Sequence, residues 1–122
     1  MPEDVDPAGL ERLRRLGGEA LASKMVALFS ELGEDRIAAA RAAVADGDLE
    51  TLERAAHSLK SSAGNVGAVR LQEQAQRVES GAERARDAGA GTAALEREIA
   101  EMANAFAAAR DRLERETRGR SG

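Results

Sequence analysis

The chain has 122 residues, of which 43% are hydrophobic and 33% charged, a balance that indicates one folded domain rather than a disordered chain. Its formal net charge is −4, and it contains no Cys, Trp or Tyr. These features argue against nucleic-acid binding, because a phosphate backbone would be repelled and only two Phe could stack on bases. The lack of cysteine also excludes disulfides, a thiolate nucleophile and zinc sites of the cysteine type.

Nothing in the sequence indicates a membrane protein or an exported one. No apolar run approaches the ~18 residues that a membrane-spanning helix needs. The N-terminal residues 1–4 lack the basic and apolar regions of a signal peptide. We therefore expect a cytoplasmic protein.

The composition favours helix throughout, because alanine is abundant, β-branched residues are few and both prolines lie near the N-terminus. Asp6 and Pro7 form a typical helix start, with an acceptor at the N-cap and proline at the first helical position. Glycines at positions 17, 18 and 33 divide the N-terminal third of the chain. Apolar spacing predicts helical segments at about residues 7–16, 19–32, 34–45, 49–64, 68–88 and 93–114.

These segments predict an all-α fold: an antiparallel four-helix bundle with one or two short helices at its N-terminal end. Repeated glycine breaks disfavour the alternative of one long coiled coil. We expect a single domain over residues 1–122, with a folded core at about 7–115 and a polar tail at 116–122.

The only histidine of the chain, His57, lies in the predicted fourth segment. Lys60, Ser61 and Gly64 follow it by three, four and seven residues, which places them on its side of a helix. Lysine is rare here, since the chain has sixteen arginines and two lysines. Glycine inside a helix costs about 1 kcal/mol relative to alanine, so Gly64 suggests a need for space. An imidazole, an ammonium and small side chains are suited to carrying a phosphoryl group.

The same residues are also compatible with ordinary roles in a helix. A single histidine on a helix flank is often a polar boundary residue, Lys60 could be a solvated lysine, and Gly64 could end its helix. A serine triad would have to use Ser58, Ser61 or Ser62 from the same helix as His57, without a cleft between them. Gly17-Gly18 does not continue into a nucleotide phosphate-binding loop, so we expect no ATP site.

The segment from His57 to Ala68 reads HSLKSSAGNVGA. It resembles the signature of histidine-containing phosphotransfer domains of multistep two-component phosphorelays, which is His-x-Leu-Lys-Gly-small-small-Gly. The likeness is sharp over residues 46–71, and the helix layout is similar over most of the chain.

The resemblance implies that His57 accepts a phosphoryl group through Nε2 from an aspartyl phosphate on a receiver domain and passes it to another receiver. Lys60 would balance the charge of the transferring group, and Gly64 would give it clearance. The receiver and its bound Mg²⁺ would supply most of the catalytic apparatus, so the chain itself would hold no cofactor or metal. It would have no kinase activity of its own.

Two positions depart from the family pattern. Ser61 stands where the family usually has glycine, which would tighten the clearance. Family members often have a glutamine on the next helix that orients the histidine ring through Nδ1, and Glu79 is the matching position here. A carboxylate can accept the Nδ1 proton as an amide does, although it adds negative charge near an incoming phosphate.

The partners implied are receiver domains of response regulators or hybrid histidine kinases. They would dock around His57 and touch apolar side chains of the first helices, such as Leu13. We expect a monomer that binds neither nucleic acid nor membrane. The alternative function is a non-catalytic helical adaptor in which His57 is incidental. The polar ends favour a free-standing protein over one module of a larger kinase.

Overall fold

The computed structural model describes residues 4–118, which form a bundle of antiparallel helices. The helices are α1 (Pro7–Asp46), α2 (Leu49–Val66), α3 (Val69–Asp87) and α4 (Glu96–Arg118), with a 3₁₀ turn at Ala93–Leu95. Each helix packs against two neighbours in a closed ring, with contacts α1–α2, α2–α3, α3–α4 and α4–α1. Residues 4–118 contain no strand. The predicted all-α four-helix bundle is confirmed.

Two glycines near the N-terminus interrupt α1. Gly18 has φ +72° and ψ −170°, a conformation that only glycine adopts easily, and Gly17 also departs from helical angles. The chain therefore turns between residues 16 and 19, and the segment 7–16 forms the short N-terminal helix that the sequence predicts. That helix is fastened to the end of α2, since the backbone N–H of Asp6 donates to the Gly67 carbonyl at 2.8 Å.

The predicted break at Gly33 is wrong. Helix α1 continues through this residue to Asp46, so segments 19–32 and 34–45 are one helix. Gly33 is buried, and a Cβ placed there would overlap the ring of Phe106 on α4. The glycine serves the close approach of two helices, a requirement that spacing along α1 does not reveal.

Helix α2 has a defined cap at each end, Asp48 and Gly67. The carboxylate of Asp48 caps it by accepting from the Thr51 backbone N–H at 3.1 Å and the Thr51 hydroxyl at 2.6 Å. These hydrogen bonds lower the pKa of Asp48. The helix runs to Val66 and ends at Gly67, whose φ is +76°. Gly64 therefore lies inside the helix, and of the predicted break at residues 65–67 only Gly67 lies outside it.

The core consists of small and medium side chains, and its two aromatic rings, Phe29 and Phe106, lie 5.4 Å apart between centroids. Alanines fill much of the remaining contact surface, which allows the helices to approach closely. At the C-terminus, α4 continues to Arg118, and Thr117 is buried with its hydroxyl on the Leu113 carbonyl at 3.0 Å. The predicted polar tail is thus helical up to residue 118, and residues 119–122 lie outside the described part.

Candidate functional site

His57 lies on the outer surface of α2, with 62% of its side chain exposed. The apolar residues of this helix face the core, as their repeat predicts: Leu52, Ala56, Leu59 and Ala63 are fully buried. The imidazole is therefore accessible to a protein partner. Within residues 4–118, one of its two nitrogens has a hydrogen-bond partner.

That nitrogen is Nδ1, which lies 2.7 Å from Oε2 of Glu79 on α3. A carboxylate can only accept a hydrogen bond, so the Nδ1 proton is the donor in this pair. In the neutral ring, Nε2 then carries the lone pair. The sequence placed Glu79 at the position expected to orient the ring through Nδ1, and the structure brings the two side chains together.

Lys60 also binds Glu79. Its ammonium donates to the Glu79 Oε1 at 2.6 Å and to the Gln76 Oε1 at 2.9 Å. Burial of the Glu79 carboxyl acts to raise its pKa, but hydrogen bonds from Lys60 and His57 outweigh burial, and the net pKa lies below its ordinary value. Glu79 is therefore an ionised carboxylate that joins the imidazole to the ammonium.

Gln76 and Ser80 extend this network along α3. The amide nitrogen of Gln76 donates to the Ser80 hydroxyl at 2.8 Å, which turns the amide oxygen towards Lys60. Neither residue is singled out by the sequence pattern. Their positions, three before and one after Glu79, place them on or beside its helix face, but polar residues are common at such positions.

The predicted partners of His57 divide between two sides of α2. An α-helix turns 100° per residue, so offsets of three and four fall on opposite sides of His57. Lys60 contacts α3, and a Cβ at Gly64 would lie 3.2 Å from the Gln72 amide nitrogen, also on α3. Ser61 is exposed and lies on the α1 side, so it does not join the network of Lys60 and Glu79.

On the α1 side, an open groove of about 260 Å³ lies between α1 and α2. Apolar side chains of α1 form one wall, and small polar residues of α2 form much of the other. The lining residues are Met25, Leu28, Phe29, Leu32, Ser58, Ser61, Ser62, Asn65 and Val66. Leu28 is 49% exposed, whereas Leu13 is only 6% exposed. The expectation that Leu13 meets a partner is wrong, because its helix turns that side chain into the core.

Arg36 reaches the same region from α1, and the sequence pattern does not single it out. Its Nε donates to the Ser58 hydroxyl at 3.0 Å, and Ser58 is the residue that follows His57. Its other contact is with the neighbouring Asp35, at 3.0 Å. No local signal distinguishes this arginine among sixteen, since its proximity to Ser58 arises from helix packing.

Comparison with known proteins decides the family. The Hpt domain model matches residues 24–112. The chain belongs to the Hpt domain family. This Hpt domain also resembles the crystal structure of histidine-containing phosphotransfer protein B (HptB) from Pseudomonas aeruginosa PAO1, with a TM-score of 0.82 and 26% sequence identity. The match covers 97% of each chain. No curated protein matches the sequence significantly.

Family membership supports a histidine phosphotransfer role in a phosphorelay, in which Hpt domains interact with receiver domains. It favours this role over the adaptor alternative, and it confirms the resemblance that the HSLKSSAG segment suggests. Over residues 4–118, no helix combines the length and apolar character required to cross a lipid bilayer.

Proposed function

We propose that this Hpt domain accepts a phosphoryl group on His57 from the aspartyl phosphate of one receiver domain and delivers it to another. The observation that carries the proposal is the exposed imidazole of the chain's sole histidine, held through Nδ1 by Glu79 at 2.7 Å. This contact leaves Nε2 as the nucleophilic nitrogen, on a ring whose orientation is restrained.

In the forward step, the Nε2 lone pair forms a bond to phosphorus, and the bond from phosphorus to the aspartate oxygen breaks. The aspartate leaves as a carboxylate with the electron pair of that bond. The imidazole becomes positively charged, and its Nδ1 proton stays on the hydrogen bond to Glu79. The carboxylate stabilises this cation as the aspartate of a catalytic triad stabilises an imidazolium. Transfer to the second receiver reverses these changes.

Lys60 supports the step in two ways. It keeps Glu79 ionised through the 2.6 Å contact, and its ammonium has three N–H donors, of which Glu79 and Gln76 take two. The third is available in this proposal for an oxygen of the phosphoryl group. The Mg²⁺ that such transfer requires is bound by the receiver, and this chain contributes the nucleophile and its charge balance.

Docking uses the α1 side of His57. The groove beside Ser58 and Ser61 presents the half-exposed Leu28 to a partner, and its open shape suits a transient contact of modest area. A monomer is sufficient, because every residue in the proposed step comes from α2 and α3 of one chain. Gly64, on the α3 side, leaves space beside His57 for the transferring phosphoryl group.

The test is transfer of radiolabel from a phosphorylated receiver to the purified chain, followed by acid and base treatment. We expect label that is acid-labile and base-stable, as a phosphohistidine is. His57→Gln should carry none, although its amide can still bond to Glu79 and the fold should persist by circular dichroism. Equal labelling of the variant and the parent would refute the proposal.

A further inference from the structure

The groove on the α1 side has a charged end. Its apolar residues on α1 recur at helical spacing through Met25, Phe29 and Leu32, and Arg36 is the next residue of that series. Because α1 and α2 are antiparallel, this end of the series lies at Ser58, beside His57. A partner that covers the groove and reaches His57 therefore meets Arg36.

Lys60 and Arg36, two of the cations near His57, differ in how they are neutralised; Arg54, one turn earlier on α2, pairs with Glu50 of its own helix. Lys60 is 27% exposed and faces Glu79, which is 17% exposed, so this pair has no net charge. Arg36 pairs with Asp35, whose side chain is 75% exposed. An exposed pair of this kind contributes little to stability and exchanges its partner at little cost. Of Lys60 and Arg36, Arg36 is thus the cation that can respond to charge on a docking protein.

Ser58 restrains the guanidinium for this purpose. It accepts from Nε at 3.0 Å, whereas Nη1, on the edge shared with Nη2, donates to the exposed Asp35 carboxylate at 3.0 Å. That edge matches the two oxygens of a carboxylate or a phosphoryl group. A lysine at this position would carry the charge without the planar fork.

We propose that Arg36 is a docking residue that pairs with acidic groups on the receiver around its aspartyl phosphate. The inference rests on the proposed function, because the donor in that function is a phosphorylated aspartate with nearly two negative charges. Opposite charges at the edge of an interface accelerate encounter and suppress wrong partners. Arg36 acts on docking, and the chemistry remains with His57, Lys60 and Glu79.

The experiment is single-turnover transfer from a phosphorylated receiver, measured by rapid quench at several receiver and salt concentrations. Arg36→Gln should raise the half-saturating receiver concentration by about fivefold to tenfold and flatten its dependence on salt. The transfer rate at saturation should change by less than about twofold. Arg36→Lys keeps the charge and should return the half-saturating receiver concentration most of the way to that of the parent. Ser58→Ala should raise this concentration by part of the amount that Arg36→Gln does.

Arg97→Gln is the matched control, since it removes the same charge from a residue that is 89% exposed on α4. Helix α4 packs against α1 and α3, on the other side of the bundle from α2. If Arg36→Gln and Arg97→Gln behave alike while the parent transfers normally, the inference is overturned and the proposed function stands. A loss confined to the saturating rate also overturns it. If the parent accepts no label on His57, the proposed function fails, and the inference fails with it.

Discussion

The two sides of His57 differ in chemistry although both are built on α2. Towards α3, Lys60, Glu79 and Gln76 form a hydrogen-bonded polar network that holds the ring. Towards α1, the surface is an apolar groove with Arg36 at its end. This division suggests that one side prepares the nucleophile and the other receives the partner. Substitutions on the α3 side should therefore change the saturating transfer rate, and those on the α1 side the concentration dependence.

The largest effect is expected at Glu79. Glu79→Leu removes the acceptor of Nδ1 and the counter-charge of Lys60, so the ring loses its orientation and its favoured tautomer. We expect the saturating transfer rate to fall by roughly 10-fold to 100-fold, as for other groups that orient a functional histidine. Glu79→Gln keeps an acceptor and should lose less. Glu83→Leu, an exposed position one turn further along α3, is the control, and an equal loss there would contradict the role of Glu79.

On the α1 side, Leu28→Ser should weaken receiver binding. Leu28 is 49% exposed in the groove, and the loss of its apolar contact should raise the half-saturating receiver concentration about fivefold to tenfold. The saturating rate and the free energy of unfolding should stay close to those of the parent. Leu16→Ser changes a leucine that is 73% exposed and does not line the groove, so it should have little effect. Equal effects of the two variants would show that the groove is not the docking surface.

Gly64→Ala separates clearance from folding. A Cβ at Gly64 would meet only the Gln72 side chain, at 3.2 Å, and the helix would gain up to about 1 kcal/mol in propensity. The saturating transfer rate should fall moderately, while the free energy of unfolding does not fall. At Gly33, alanine would overlap the Phe106 ring and should destabilise the fold by about 1–3 kcal/mol. Denaturant unfolding of both variants checks this contrast, and a destabilised Gly64→Ala would remove the distinction.

The smallest effect concerns stability and pH. Hydrogen bonds from Lys60 and His57 outweigh burial and place the pKa of Glu79 below its ordinary value. The folded state thus favours the carboxylate, and its contribution to stability is present above the ordinary pKa of glutamate and is lost as the pH falls through the lowered value. The parent should therefore lose its stability advantage over Glu79→Gln in acid. Urea unfolding at neutral and acidic pH measures this, and a constant difference would contradict it.

Much of the fold follows from local patterns. Asp6-Pro7 starts α1, Asp48 caps α2, and the apolar repeat of α2 leaves His57 outside the core. Gly17-Gly18 and Gly33 look alike as interruptions, yet only the first pair breaks the helix. Gly33 is explained by Phe106, which lies 73 residues later in the chain and packs on the other side of the contact. A local pattern does not contain that information.

The same distinction applies to the site. The sequence by itself determined the helical segments apart from the continuity at Gly33, the exposed histidine, its family signature and the expectation that Glu79 faces the ring. These depend on spacing along one helix and on a recognisable motif. Only the tertiary structure decided that Lys60 and Ser61 belong to different sides, that Gln76 and Ser80 complete the network, and that Arg36 meets Ser58. The physical reason is that helical periodicity sets the direction of each side chain, whereas the packing of helices decides what lies there.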